Sequence, residues 1–388
     1  LFFINNRKLS SNLSSFFLNL FNFKFIIATL RLYFFTVKLY IKINFMLNNK
    51  NYNKHLNIWL TGLILLVGLI IIVGGLTRLT NSGLSIIEWE LFEGILPPLN
   101  SEQWIVYFKL YQTIPQYEIL NKNMTLSEFK VIFLWEYYHR LLARFIGLFF
   151  LIPFLFFTYK NIFQKNYNVK FVLIFFLILL QGVVGWYMVK SGLVNNISVS
   201  HYRLSMHLFL AFIIFSSLVW ILFNFRLNYN KSFFFGKSNL KPIKILIFFL
   251  YLQIIIGAFV SGLDAGKIYQ SWPLMNNSFF PDDVKINNLI DLFSFNNHSL
   301  VQYFHRNLAY IIFILSIYMG LLLFKKKIIY LYKHYFYFIS LILFQIVLGI
   351  YTLLSDLKIE IASLHQISSI FLIYFSLNLY HRSIVKNV

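Results

Sequence analysis

The chain has 388 residues and a net charge of +21, yet only 12% of its residues are charged, against roughly 25% in a soluble domain. With 59% apolar and 20% aromatic residues, it is too hydrophobic for a soluble fold, and its basic excess has to be explained at a membrane before nucleic acid is considered. It contains no cysteine, which excludes disulfides and thiolate metal ligands within this chain.

Residues 1–55 read as an N-terminal extension, rich in Phe, Asn, Ser and basic residues up to residue 45 and without an acid before Glu88. A transit-like leader and a stretch lying ahead of the true start at Met46 both remain open, and no function is assigned there. Apolar runs follow near 57–77, 134–158, 169–190, 203–224, 243–263, 302–324, 333–354 and 361–380. Each is long enough to cross a hydrocarbon core of about 30 Å. The fold class expected is an all-α polytopic membrane protein with eight transmembrane helices.

The charges give this chain a direction. Every acid except Glu136 falls in or beside the loops after the first, third, fifth and seventh runs, Glu90, Glu102, Asp264, Asp283 and Asp356 among them. The opposite loops hold no acid and carry Lys160, Lys165, Lys170, Lys231, Lys237, Lys241, Lys325, Lys326 and Lys327. By the positive-inside rule the basic loops and both termini face the cytoplasm or the mitochondrial matrix. That distribution matches a membrane surface and not a nucleic-acid groove.

The chain also repeats itself. "GGLTRLTNSG" (74–83) aligns with "GAFVSGLDAG" (257–266), "EYYHRLLA" (136–143) with "QYFHRNLA" (302–309), "LILLQGVVGWY" (177–187) with "LILFQIVLGIY" (341–351), and "SMHLFLAF" (205–212) with "SLHQISSI" (363–370). Four matches in one order predict two parallel four-helix repeats, over 56–230 and 231–388, each a small bundle with a site among its helices.

Four of the nine histidines, His139, His207, His305 and His365, fall inside spanning runs at matching places in the repeats. His55, His298, His334 and His381 read as loop or helix-end residues, and His201 as interfacial. Polar groups at membrane depth are costly and turn toward the protein interior. Helix-to-helix hydrogen bonding explains any one of the four. Two pairs in register point further, because imidazoles projected from two helices hold the iron of a flat macrocycle from both faces. Zinc or di-iron chemistry needs more ligands than these pairs offer. The small residues Gly74, Gly75, Gly185, Gly257, Ala258 and Gly349 allow close approach of a ring or a helix. Propionates would need cations from Arg78, Arg140, Arg203 or Arg306.

The halves differ at one chemically telling place. Glu136 precedes His139 by three residues on the same helix face, and its counterpart is Gln302. Only the carboxyl group can exchange a proton, so the first half is expected to be reactive and the second to transfer electrons or serve structurally. An orienting role for Glu136 toward a histidine or Arg140 stays open.

These segments, with "VGGLTRLTNSGLSIIEWE" (73–90), the loop 94–130, "VSHYRLSMH" (199–207) and "GAFVSGLDAGKIYQSWPLM" (257–275), resemble the haem A synthase family. Within it they look like the cysteine-free alphaproteobacterial and mitochondrial branch. The resemblance covers about residues 56–380. It implies oxidation of the C8 methyl group of haem O to a formyl group, giving haem A for cytochrome oxidase, with electrons leaving through a resident haem b to an acceptor it does not identify. It implies His305 and His365 as haem b ligands, His139 and His207 as ligands of the substrate haem O, and Glu136 as the catalytic residue. Haem O synthase, the farnesyltransferase that supplies the substrate, is the implied pathway partner. The setting is a mitochondrial inner membrane or a bacterial cell membrane, with the haem sites toward the side opposite the termini and self-association left open. The family's "NSFP" stands here as "QSWP" (270–273), which leaves the role of Gln270 open. The competing expectation is a di-haem b-type cytochrome that only passes electrons. A transporter of parallel repeats fits less well, because the runs lack mid-membrane breaks.

Overall fold

Helix α1, Asn49–Leu79, opens the part of the chain described by the computed structural model, which covers residues 49–88, 93–163, 165–193, 197–227, 231–285, 291 and 295–384. The expected extension lies outside the described residues up to residue 48, as does Glu90 after α1. Leu1–Ile58 and Trp59–Val388 are two compact units. Of the first, only the start of α1 is described.

The remaining helices are α2 (Ser101–Tyr111), α3 (Pro115–Leu120), α4 (Leu126–Tyr159), α5 (Lys165–Gly192), α6 (His201–Arg226), α7 (Ile243–Gly262), α8 (His298–Lys325), α9 (Tyr332–Leu354) and α10 (Ile359–Ser383). Among the described residues eight helices, all but α2 and α3, are long and apolar enough to cross a membrane. The chain is therefore an all-helical, multi-pass membrane protein. In lipid this is forced, because a helix satisfies its own backbone polar groups and a loop does not.

Helix α4 starts two turns before its apolar run. The reason is local: the Thr125 side chain accepts from the Glu128 backbone N–H while the Glu128 carboxylate accepts from Thr125 N, a reciprocal capping box. His139 consequently sits in the fourth turn of its helix, whereas His207, His305 and His365 sit in the second turn of theirs.

The segment between α1 and α4 also carries two short helices. The Asn100 side chain caps α2 by accepting from Gln103 N at 2.8 Å, and Pro115 starts α3, where its missing N–H costs no helix bond. Trp104, Tyr107, Phe108 and Tyr111 of α2 pack on Phe129 and Phe133 of α4, enclosing Leu84, Ile86 and Ile114. This aromatic cap fixes the segment that leaves α1.

Sequence correspondences recur as local geometry. Asn81 and Asp264, at matched positions after α1 and α7, both take left-handed backbone, with φ of 53° and 51°. Asn and Asp tolerate that region better than most residues. Helix α6 packs against α7 and α10, Ser205 Oγ donates to Ile255 O at 3.2 Å, and Gln366 Nε2 of α10 donates to Ile71 O of α1 at 2.9 Å.

On the basic-loop side, His381 is only 1% exposed. Its Nε2 bonds Asn224 Oδ1 at 3.0 Å, and Lys231 donates to the His381 carbonyl at 2.8 Å. His381, read from the sequence as a loop or helix-end residue, is therefore a buried one, held by the end of α6 and the loop that follows it. His201 is likewise buried against Gly262 and Phe259, because the start of α6 packs on the end of α7.

Candidate functional site

Each of the four intramembrane histidines lies in the notch of one glycine on the preceding spanning helix. A Cβ at Gly74 of α1 would lie 3.0 Å from His139 Cε1 of α4. The same contact recurs at 2.9 Å for Gly185 and His207, 3.0 Å for Gly257 and His305, and 3.1 Å for Gly349 and His365. None of these glycines has positive φ, so close approach of the ring, and not backbone conformation, is what calls for glycine.

One turn before three of those glycines stands a glutamine, in "QGVVG" (181–185), "QIIIG" (253–257) and "QIVLG" (345–349). Gln181 Nε2 donates to His207 O at 3.1 Å, Gln253 Nε2 to His305 O at 3.0 Å, and Gln345 Nε2 to His365 O at 2.9 Å. Sequence reasoning used the glycines but missed the glutamines. The repeated Q-x-x-x-G spacing was the available signal.

The histidines meet in pairs. The His139 and His207 ring centres are 6.5 Å apart with planes at 61°, and those of His305 and His365 are 6.5 Å apart at 76°. In all four rings Nδ1 is buried without a hydrogen-bond partner, although each residue keeps part of its surface accessible. With metal–imidazole bonds of about 2.0–2.1 Å on either side, two rings gripping one ion stand roughly 6 Å apart centre to centre. Among the described residues no three of His, Asp and Glu gather into a metal-binding group.

Glu136 is 3% exposed and takes donors on both oxygens. Ser85 N and Ser85 Oγ donate to Oε2 at 2.7 Å each and Ile86 N at 3.0 Å, while Arg140 Nη2 donates to Oε1 at 2.6 Å. The Arg140 guanidinium also donates to Ile86 O at 2.9 Å. Two backbone amides of the segment that follows α1 are thus aimed at one carboxyl group, a turn before His139.

The second half repeats the frame with the polarity reversed. Tyr269 occupies the place of Ile86, and Arg306 Nη2 donates to its carbonyl at 2.9 Å. Gln302 Nε2 donates to that same carbonyl at 2.9 Å, where Glu136 accepts from an amide.

The four candidate arginines separate. Arg140 joins the Glu136 network. Arg78 ties the end of α1 to the end of α7, donating to Ser261 O at 2.6 Å and to Asp264 at 3.1 Å. Arg203 lies 4.7 Å over the Tyr187 ring. Arg306 keeps a buried Nε without a partner. Gln270 donates to Asp356 Oδ1 at 2.5 Å, linking the segments after α7 and α9.

A family model described as COX15-CtaA, cytochrome oxidase assembly protein, matches residues 57–377. The chain is 51% identical over 326 residues to a Pelagibacter ubique (strain HTCC1062) protein named heme A synthase, covering 83% of this chain and 95% of that one. It is 40% identical over 343 residues to heme A synthase of Ehrlichia ruminantium (strain Gardel), covering 87% and 96%. To heme A synthase of Rickettsia bellii (strain OSU 85-389) it is 40% identical over 343 residues, covering 86% and 99%. With all eight spanning helices inside or largely inside the matched region, the chain belongs to the COX15-CtaA family of cytochrome oxidase assembly proteins.

Proposed function

We propose that this chain is a haem A synthase, which oxidises the C8 methyl group of its substrate haem O to a formyl group. The observation that carries the reading is the reversal at one matched position. Glu136 accepts from Ser85 and Ile86, whereas Gln302 donates to Tyr269. One half therefore holds a proton-accepting group beside its histidine pair and the other does not. The relatives named heme A synthase, matched over nearly their whole length, support the same reading.

His305 and His365 suit a b-type haem: the ring spacing accommodates one iron, a ring nitrogen of each lacks a partner, and glycine leaves each ring room. Bound there, a b-type haem supplies one-electron transfer. His139 and His207 hold the iron of the substrate haem. Glu136 is the group suited to take up a proton released as the methyl group is oxidised, while Ser85, Ile86 and Arg140 keep its carboxyl group in place. Arg306 Nε is a donor suited to a propionate. The basic loops face the cytoplasm or matrix, and the histidine pairs lie toward the other side. Haem O synthase supplies the substrate.

The test is to purify the chain from a host that makes haem O, extract the non-covalent haem, and identify it by chromatography and mass. Haem B together with haem O, a hydroxylated haem or haem A is expected. Haem B alone would sink the synthase reading and favour a di-haem cytochrome. Glu136→Gln is expected to retain haem and lose haem A production.

A further inference from the structure

The four helix pairs that present the histidines are alike in every glycine contact and unlike in one amide. Gln181, Gln253 and Gln345 each lie one turn before the glycine that receives a ring, and each donates to the backbone carbonyl of the histidine it faces. Gln181 and Gln253 also bring Nε2 within 3.3 Å of the His207 and His305 Nε2 atoms. A side-chain amide at this depth is costly without a partner, so spending it on the histidine carbonyl ties the two helices at the ligand's own residue. At the fourth pair the equivalent position, four residues before Gly74 and on the same face of α1, is Ile70. Among the described residues no side-chain amide bonds the His139 carbonyl.

That exception falls in the half that carries Glu136. Three histidines are tied at their own carbonyl by a side-chain amide; His139 lacks that tie and sits in its glycine notch on a helix held nearby through Glu136 and Arg140. A resident group calls for two fixed ligands. A site that turns over calls for one ligand that can part from the iron.

We propose that Gln181, Gln253 and Gln345 are positioning residues that lock His207, His305 and His365, and that His139, facing Ile70, is the ligand that disengages when substrate haem enters and product haem leaves. The assignment of the first pair to substrate rests on the function proposed above; the contrast between locked and unlocked ligands does not. Exchange at the first pair is then controlled from α1 and α4, and the His207 side stays fixed throughout.

The experiment uses the full-length chain in detergent, loaded in a host that makes haem O, and mixed with excess apomyoglobin as haem acceptor. Haem transfer is followed by absorbance, and the haem left behind is identified by mass. In the parent chain, haem is expected to leave the His139–His207 pair faster than the His305–His365 pair. Ile70→Gln is expected to slow release from the first pair by about three- to tenfold, the effect of one interhelical hydrogen bond, while Ile70→Leu leaves it unchanged. Gln345→Leu should speed release from the second pair by a similar factor and alter its low-spin electron paramagnetic resonance signal. Release from Ile70→Gln at the parental rate, with its thermal midpoint retained, would overturn the proposal. If Ile70→Gln does not fold, Gln181→Leu decides: faster release from the first pair upholds the lock, and an unchanged rate overturns it. A parent chain holding only haem B refutes the substrate assignment, and the two release rates still report on the lock.

Discussion

Glu136 and Arg140 are joined by a 2.6 Å salt bridge across one turn of α4, with side chains 3% and 12% exposed. Removing one partner of a buried ion pair strands the other, which typically costs about 3–5 kcal/mol. Arg140→Leu is therefore expected to lower the thermal midpoint substantially, and the double variant Glu136→Gln with Arg140→Leu to lose less than the sum of the single changes. Additive losses in thermal unfolding would show that the bridge contributes little.

The glycine notches give a paired prediction. Gly257→Ala places a methyl group 3.0 Å from His305 Cε1, and overpacking of this kind costs about 1–3 kcal/mol. The expected result is a displaced ring and weakened b-type absorbance in the purified protein. Gly182→Ala meets nothing within 4 Å and should leave the spectrum as in the parent. Equal spectra for the two variants would remove the notch as a reason for glycine.

The aromatic cap is predicted to act on the site at a distance. Phe129 is fully buried between α2 and α4, and Phe129→Ala should cost about 3–5 kcal/mol. Because the same cluster encloses Leu84 and Ile86, the amides of Ser85 and Ile86 would lose their fixed aim at Glu136. Haem A yield is expected to fall while absorbance from the His305–His365 pair persists. Loss of both together would make the cap a general folding element.

Acid should loosen the segment between α7 and α8. Burial by itself pushes the Asp283 carboxyl up, but the Tyr269 and Ser299 hydroxyls donate to it at 2.6 and 2.7 Å and hold it below the ordinary value of 3.8. A carboxyl lowered on folding contributes its stability above the unfolded value and loses it as pH falls through 3.8 toward the folded value. Asp283→Asn should therefore be less stable than the parent at pH 7, with the difference shrinking toward pH 3 in thermal scans. A difference that does not change with pH would assign the effect to packing.

Hydropathy made the eight spans legible because a helix crossing lipid has to be apolar along its whole length, and that requirement is written residue by residue. The start of α4 escaped it: the capping box at Thr125 and Glu128 extends the helix into a polar interface where hydropathy falls. Helices α2 and α3 were hidden for a related reason, since α2 packs its aromatic rings on α4 and α3 packs Tyr117 on α2, and neither forms an apolar run. The burial of His381 escaped as well, because Asn224 and Lys231, which enclose it, lie some 150 residues earlier in the chain.

By itself the sequence determined the multi-pass helical class, the register of the four histidines, the glycines one helix away and the single exchange of Glu136 for Gln302. All of these are periodic or one-dimensional properties, and comparing the halves exposes them. Only the tertiary structure decided that each glycine receives one particular ring, that three glutamines pin three histidine carbonyls, and that the amides of Ser85 and Ile86 converge on Glu136. Those contacts join segments far apart in the chain. They depend on which faces the packed helices turn to one another, a choice that no single helix's pattern contains.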